Sequence, residues 1–228
     1  MRKIQKIGHR GAKGDLAENT LESIRKAIDL KVDAVEIDVH LCKTGELVVI
    51  HDFTVDRTTN GEGEVSEKTL DELRSLLIEG KYRIPLLTEV LDLIEEKCRI
   101  NIELKGNNTA AETSRIIRDY VTGRSRSYSD FIVSSFQWNE LFEVLKIDTN
   151  IPLGVLTETN VSEAIEIGKK LSAKAIHPSV DIITPDNLNQ ARKAGFEVNV
   201  WTVNDKETIQ KMKDLGVDGI ISDFPDLL

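Results

Sequence analysis

Acidic and apolar residues alternate along residues 34–40, so that Glu36 and Asp38 lie on one face of a predicted strand. Residues 99–105 repeat this pattern with Glu103. Strands of a parallel sheet are usually apolar on both faces, and an unpaired buried carboxylate is strongly unfavourable. Three convergent carboxylates would bind a hard divalent cation, Mg²⁺ or Ca²⁺ with Mn²⁺ as a further candidate, in preference to Zn²⁺. If either run is an exposed antiparallel edge, the alternation needs no metal.

Two histidines end neighbouring predicted strands: His9 follows the first strand, and His51 ends a short hairpin strand. Either one alone would more often be structural. Together they could remove one proton and deliver another, because imidazole titrates near neutrality. Arg10 offers a planar fork suited to phosphate, and Lys105 offers a point charge. With a cation, these side chains describe a phosphoryl-transfer site.

The elements that must position these residues alternate regularly along the chain. Eight predicted strands cover residues 4–8, 34–40, 99–105, 130–135, 151–157, 173–178, 197–203 and 219–223, and a hairpin partner covers 47–51. Predicted helices begin at Asn19, as a capping residue with Glu22 three positions later, and cover residues 86–97, 109–122, 137–146, 161–171, 184–194 and 205–215. This alternation predicts an α/β fold, a TIM-type (β/α)₈ barrel in a single domain over residues 1–228. A doubly wound sheet is the alternative, but no Gly-x-Gly-x-x-Gly turn supports it.

Residues 53–85 interrupt the alternation after the second strand. This segment contains a run of turn-forming residues at 58–63 and one predicted short helix near residues 69–77. We interpret it as a small insertion that could cover one side of a site.

The bulk properties exclude several function classes. With 228 residues, 40% hydrophobic content and 30% charged content, the chain is expected to be soluble and globular. A net charge of −9 disfavours nucleic acid and anionic membranes as partners. The absence of an apolar run of membrane length or a signal-peptide pattern predicts no membrane anchor and a cytoplasmic location. The two cysteines, Cys42 and Cys98, are expected to be reduced thiols. The oligomeric state does not follow from the sequence.

Several segments, taken in order, resemble one family. They are GHRGAKGDLAENTLESIRKAI, AVEIDVHLCKTGELVVIHD, RTTNGEGEV, IPLLTEVLDLI, NIELK, WTVN and GVDGIISDFP, and they extend from the first strand to the last. The ordered set is similar to the glycerophosphodiester phosphodiesterases. The resemblance implies a TIM-type barrel with an insertion after the second strand. It also implies metal-dependent hydrolysis of glycerophosphodiesters to sn-glycerol 3-phosphate and an alcohol.

By the same resemblance, His9 and His51 would be the acid/base pair. Glu36, Asp38 and Glu103 would be the metal ligands. The residues that would contact the substrate are Arg10 and Lys105 at the phosphate and Trp201 at the glycerol end of the pocket. The substrate is then expected to be a small-molecule glycerophosphodiester.

The sequence does not assign a single role to four further residues. Glu18 would orient Arg10, reach the surroundings of the metal, or only favour a helix N-terminus. His177, expected to face the mouth of the barrel, would line the pocket or be structural. Asp223 would support the site from the last strand, and the role of His40 is not defined.

Two other functions compete with the leading one. A relative acting on lysophospholipids or sphingomyelin-like phosphodiesters is one alternative. The other is a non-catalytic phosphoglycerol-binding barrel, which is disfavoured because binding alone needs no histidine pair.

Overall fold

The computed structural model describes residues 3–124 and 126–228, so residues 1, 2 and 125 of the predicted domain lie outside the described residues. Its strands are β1 (Gln5–Gly8), β2 (Ala34–Leu41), β3 (Leu47–Val49), β4 (Arg99–Leu104), β5 (Phe131–Ser135), β6 (Leu153–Thr157), β7 (Ala175–Pro178), β8 (Glu197–Val200) and β9 (Gly219–Ser222). The helices are α1 (Leu21–Asp29), α2 (Leu70–Ser75), α3 (Leu87–Ile94), α4 (Ala110–Gly123), α5 (Trp138–Ile147), α6 (Val161–Leu171), α7 (Pro185–Lys193) and α8 (Lys206–Leu215). Three short 3₁₀ helices are Val65–Glu67, Tyr128–Asp130 and Pro225–Leu227.

Eight parallel strands close into a ring in the order β1, β9, β8, β7, β6, β5, β4, β2. The first strand closes this ring because it pairs with β9 on one side and with β2 on the other. The remaining strand, β3, pairs antiparallel with β2 outside the ring, with His40 opposite Val48. The predicted TIM-type barrel and its hairpin partner are therefore confirmed.

The N-cap of helix α1 lies one residue later than predicted. Thr20 is the N-cap, and its hydroxyl accepts a hydrogen bond from the backbone N–H of Ser23. Asn19 instead has a left-handed backbone with φ of 57°, and its side chain turns into the barrel mouth. The prediction that Asn19 caps this helix is wrong, because its amide is already used by Asp38.

The strand register places alternate side chains inside the ring. Near the amino-terminal ends of the strands, the interior contains His177 and Asn199, both buried. Their neighbours Gly154 and Gly219 leave the necessary room: a Cβ built on Gly154 would lie 2.9 Å from the His177 ring, and one on Gly219 would lie 2.4 Å from Asn199 Oδ1. The large apolar side chains of the core pack outside the ring, between strands and helices.

Residues 50–86 lie beside the β2–β3 hairpin before α3 begins. They have their own buried cluster, which includes Val55, Val65, Leu73 and Ile78 and packs on the β2–β3 hairpin. This packing fixes the segment against one side of the barrel mouth.

Both cysteines are free thiols, as predicted. Among residues 3–124 and 126–228, no helix has the length and apolar character needed to cross a membrane.

Candidate functional site

Three buried carboxylates meet at the carboxyl ends of β2 and β4. Parallel pairing places Asp38 opposite Glu103, and Glu36 opposite Asn101 one step lower in the barrel. One oxygen from each of the three acids lies within 4.8 Å of the others. Glu36, Asp38 and Glu103 are only 3%, 1% and 8% exposed. The structure therefore brings the three predicted metal ligands together.

The electrostatics of this cluster are unfavourable for three bare anions. Burial, together with the nearby Asp38 and Glu103 carboxylates, raises the pKa of Glu36 well above its usual range. Burial and the Asp38 carboxylate raise the pKa of Glu103 to about 7. The buried Glu36 Oε1 has no hydrogen-bond partner among the described residues. A hard divalent cation fits this site, because it would supply the missing contact to an oxygen-only donor set.

Three hydrogen bonds hold two of these residues, Asp38 and Glu36, in place. Asn19 Nδ2 donates to Asp38 Oδ2 at 2.9 Å, and Asn19 Oδ1 accepts from the Asp38 backbone N–H at 3.3 Å. The backbone N–H of Arg10 donates to Glu36 Oε2 at 2.9 Å. Sequence reasoning missed this role of Asn19, because the residue also matches a local helix-capping pattern.

His9 lies at the end of β1 and contacts the last strand. Its Nδ1 lies 2.5 Å from Asp223 Oδ1, and its Nε2 lies 3.9 Å from Glu36 Oε2. Since the carboxylate can only accept, we assign the proton to Nδ1, which leaves Nε2 as the basic nitrogen on the cluster side. Burial lowers the pKa of His9 despite this partner. Asp223 itself is held by Asn204, whose Nδ2 donates at 2.9 Å.

His51, which follows the β3 hairpin strand, has a carboxylate partner of the same kind. Its Nδ1 lies 2.6 Å from Asp52 Oδ1, which assigns the proton to Nδ1 and leaves Nε2 for substrate. Burial lowers the pKa of His51 as well. The backbone carbonyl of His51 lies 3.0 Å from His40 Nε2, so His40 contacts the backbone beside His51.

The two predicted phosphate-binding cations flank the carboxylates. Arg10 Nε lies 3.3 Å from Asp38 Oδ2, and Arg10 Nη1 donates to Glu18 Oε1 at 2.9 Å. Lys105 Nζ donates to Glu103 Oε1 at 2.9 Å and lies over the ring of Phe136. Both cations are largely buried, so their positive charge is concentrated at the mouth.

A cavity of about 220 Å³ opens at this mouth. Trp201, which packs edge-to-face on Phe136, forms part of its wall. Sequence reasoning did not single out Phe136 or Glu158, which follow β5 and β6 and gave no pattern signal. The cavity is lined by His9, Arg10, Glu36, His51, Asn101, Glu103, Lys105, Phe136, Leu156, Glu158, Trp201, Thr202 and Ile221.

His177 lies deeper in the barrel and does not line the mouth cavity. Asn199 Nδ2 lies 3.1 Å from His177 Nε2, and burial lowers the pKa of His177 to about 4. The side chain lines a separate cavity of about 290 Å³ at the amino-terminal ends of the strands. Of the two roles left open for His177, these contacts favour the structural one.

A parallel (β/α)₈ barrel whose mouth carries three clustered carboxylates, two His–Asp pairs and two cationic side chains has the groups that an enzyme acting on phosphate esters needs. The sequence comparisons identify the family. Residues 9–227 match the model of the "Glycerophosphoryl diester phosphodiesterase family". The chain belongs to this family, and the prediction that it is an enzyme of this activity is confirmed.

Similar proteins align with nearly the whole length of the chain. A protein named glycerophosphodiester phosphodiesterase from Caldanaerobacter subterraneus is 36% identical, with 97% of this chain and 95% of that protein aligned. A protein of the same name from Bacillus altitudinis is 35% identical, over 96% of this chain and 94% of that protein. The solved structure of an Oleispira antarctica phosphodiesterase in complex with the product sn-glycerol-3-phosphate is 28% identical with a TM-score of 0.88, and covers 97% and 94% of the two chains.

Proposed function

We propose that the protein hydrolyses glycerophosphodiesters to sn-glycerol 3-phosphate and an alcohol, using His9 and His51 as the acid/base pair. One observation carries this proposal: each histidine that lines the mouth cavity has its Nδ1 held by a carboxylate, Asp223 or Asp52. Such a carboxylate fixes the tautomer and orientation of the ring, and leaves Nε2 for proton transfer. A binding protein would not need two histidines prepared in this way.

The phosphodiester would lie between the carboxylate cluster and the two cations. Glu36, Asp38 and Glu103 would hold a divalent cation, which supplies Lewis-acid stabilisation of negative charge on phosphate when it is bound. Arg10 and Lys105 would contact the phosphate oxygens and stabilise the charge that develops there. Among Mg²⁺, Ca²⁺ and Mn²⁺, the oxygen-only donor set allows each one.

The two histidines would move the protons. Both have lowered pKa values, so both are neutral near pH 7, and one can accept a proton from the attacking hydroxyl. The other first takes up a proton from solvent at Nε2 and, as the imidazolium, donates it to the leaving alkoxide; the proton accepted by the first histidine returns to solvent. The attacking oxygen is either the glycerol hydroxyl beside the phosphoester, which gives a cyclic phosphate that water opens, or water itself. The same two histidines could transfer the protons in either route.

The size of the cavity favours a deacylated substrate. About 220 Å³ accommodates a phosphate with a glycerol and a small head group, and most of its lining side chains are polar. A lysophospholipid is a second candidate, because Phe53 beside the mouth is 47% exposed and would offer apolar surface to an acyl chain. A mouse protein named lysophospholipase D GDPD1 is 28% identical over 96% of this chain.

An assay coupled to glycerol 3-phosphate tests this proposal across several head groups. We expect release of glycerol 3-phosphate from glycerophosphocholine, loss of activity in EDTA, and recovery with one of Mg²⁺, Mn²⁺ or Ca²⁺. We expect His51→Ala to lose at least ~10²-fold in rate, the effect of removing a general acid or base. Circular dichroism of this variant confirms that it is folded.

Two results would contradict the proposal. Undiminished activity in a verified metal-free preparation would refute the cation site, and wild-type turnover by His51→Ala would refute the acid/base role. Faster release of choline from lysophosphatidylcholine than from glycerophosphocholine would favour the second candidate. Three expectations stay predictions: a single domain over residues 1–228 with an insertion at 53–85, a cytoplasmic location, and a lack of nucleic-acid partners.

A further inference from the structure

One guanidinium on the insertion contacts the carboxylates behind two site residues. Arg57 Nε donates to Asp52 Oδ2 at 2.5 Å, and Nη2 donates to Asp52 Oδ1 at 3.0 Å. The same Nη2 donates to Glu18 Oε1 at 2.7 Å, and Nη1 donates to Glu18 Oε2 at 3.2 Å. Arg57 therefore binds both carboxylates in a bidentate manner at once.

The two carboxylate oxygens that accept from Arg57 Nη2 also contact His51 and Arg10. Asp52 Oδ1 is also the partner of His51 Nδ1, at 2.6 Å. Glu18 Oε1 also accepts from Arg10 Nη1, at 2.9 Å. A single nitrogen of Arg57 thus lies one atom away from both the candidate acid/base residue and the candidate phosphate ligand.

The backbone around Arg57 is fixed by local packing. Val55, two residues earlier, is fully buried in the cluster of the insertion. Thr59, two residues later, bonds back to the Val55 carbonyl through both its backbone N–H, at 3.1 Å, and its hydroxyl, at 2.8 Å. This turn holds the Arg57 backbone in place, and the four hydrogen bonds to Asp52 and Glu18 hold the guanidinium.

The contribution of Arg57 to stability is expected to be small. Its side chain is 50% exposed, and ion pairs at such a surface contribute little to stability because water and salt screen them. Asp52 and Glu18, in contrast, are mostly buried and point toward the site. The effect of Arg57 should therefore appear in the geometry of its partners more than in folding.

We propose that Arg57 is a positioning residue of the hydrolytic reaction, which orients His51 through Asp52 and Arg10 through Glu18 from one guanidinium. This inference rests on the proposed roles of His51 and Arg10. It gives the insertion a part in catalysis: its turn sets the relative position of the acid/base group and the phosphate ligand. Lysine cannot replace this arginine, because one ammonium does not match two carboxylates with four directed bonds.

The test is a cycle of variants in the full chain, assayed with glycerophosphocholine at saturating metal. Arg57→Ala should lower kcat by ~10- to 100-fold, as expected when the partner that orients an active-site group is removed. Its KM should also rise, because Arg10 loses its orientation. Asp52→Asn alone should reproduce mainly the kcat effect, and Glu18→Gln mainly the KM effect. Arg57→Lys should stay within about threefold of Arg57→Ala.

The non-additivity of the cycle separates positioning from a general structural effect. In the Asp52→Asn/Glu18→Gln background, Arg57→Ala should change kcat/KM by less than about twofold, because the groups through which it acts are already altered. Arg74→Ala is the matched control, since Arg74 lies on α2 of the same segment and pairs with Glu89 away from the site. It should leave both kinetic constants unchanged.

Each outcome bears on the proposal. Wild-type kinetics in Arg57→Ala, or the same fold-loss in both backgrounds, would overturn the positioning role. If His51→Ala is inactive while Arg57→Ala is unaffected, only the Arg57 inference fails. If His51→Ala keeps wild-type activity, the proposed function fails first. Should Arg57→Ala not fold, Arg57→Lys carries the same cycle, with the same additivity criterion.

Discussion

Asn19 holds Asp38 by two hydrogen bonds, one to the carboxylate and one from the backbone N–H of the same residue. The amide therefore fixes both the position of the strand and the rotation of a candidate metal ligand. Its backbone adopts the left-handed conformation, with φ of 57°, in order to place the side chain there. This residue type tolerates that conformation better than most others.

We expect Asn19→Ala to weaken divalent-cation binding by ~10- to 100-fold, because the ligand loses the group that orients it. Titration calorimetry with Mn²⁺ or Mg²⁺ measures the affinity. Asn108→Ala is the matched control: Asn108 also has a positive φ, of 61°, but it is exposed and does not line the mouth cavity. An affinity of Asn19→Ala equal to that of the control would contradict the orienting role.

The buried His177 predicts a specific pH dependence of stability. Its pKa is about 4 in the folded protein, because burial disfavours the imidazolium, and about 6.5 in an unfolded chain. Below pH 6.5 the unfolded state binds a proton that the folded state does not, so stability is lost as the pH falls toward 4. The loss from this one group should reach roughly 2 kcal/mol at pH 4.5.

Urea denaturation at pH 7.5 and 4.5 measures this effect when wild type is compared with His177→Gln. The glutamine variant should lose less free energy of unfolding between the two pH values, because the titrating group is gone. Other groups that titrate in this range, including Glu103, cancel in the comparison. Equal losses in the two proteins would show that His177 binds its proton in the folded state as readily as in the unfolded state.

Position 154 requires glycine, because the imidazole ring of His177 leaves no room there for a Cβ. A Cβ at this position would lie 2.9 Å from His177 Cε1 and 3.0 Å from Nε2. We expect Gly154→Ala to destabilise the fold by about 1–3 kcal/mol, the usual cost of overpacking. Gly123→Ala, in the last turn of α4 with no atom within 4 Å of the added Cβ, should be neutral or stabilising by up to ~1 kcal/mol. Thermal or chemical denaturation compares the two, and equal stabilities would contradict the packing argument.

Much of the barrel could be predicted because its signals are local. Period-2 alternation within β2 and β4 showed which side chains share a face, and the parallel register then placed Asp38 beside Glu103. The hairpin partner β3 followed from a turn and a short apolar run. The carboxyl ends of the parallel strands meet at one mouth in this fold, so His9 could be assigned to the mouth from the sequence. His51 follows the antiparallel β3 outside the ring, and its place beside the mouth followed from the hairpin with β2.

The missing parts of the site depend on contacts between residues that are distant in sequence. Asn19 matched a capping pattern, and only the path of the chain into the mouth decided that its amide binds Asp38 instead. The partner of His9 is 214 residues away, so no spacing rule could assign it. Phe136 and Glu158 directly follow β5 and β6, and only the arrangement of these strand ends in space brings them to the cavity.

The position of β1 between β2 and β9 has a consequence for how the protein matures. His9 is synthesised 214 residues before its partner Asp223. Contacts between such distant segments form late, since the loop that they close carries a large entropic cost. An oriented His9 would therefore exist only in chains whose ring has closed, and partly folded chains would stay inactive until that step.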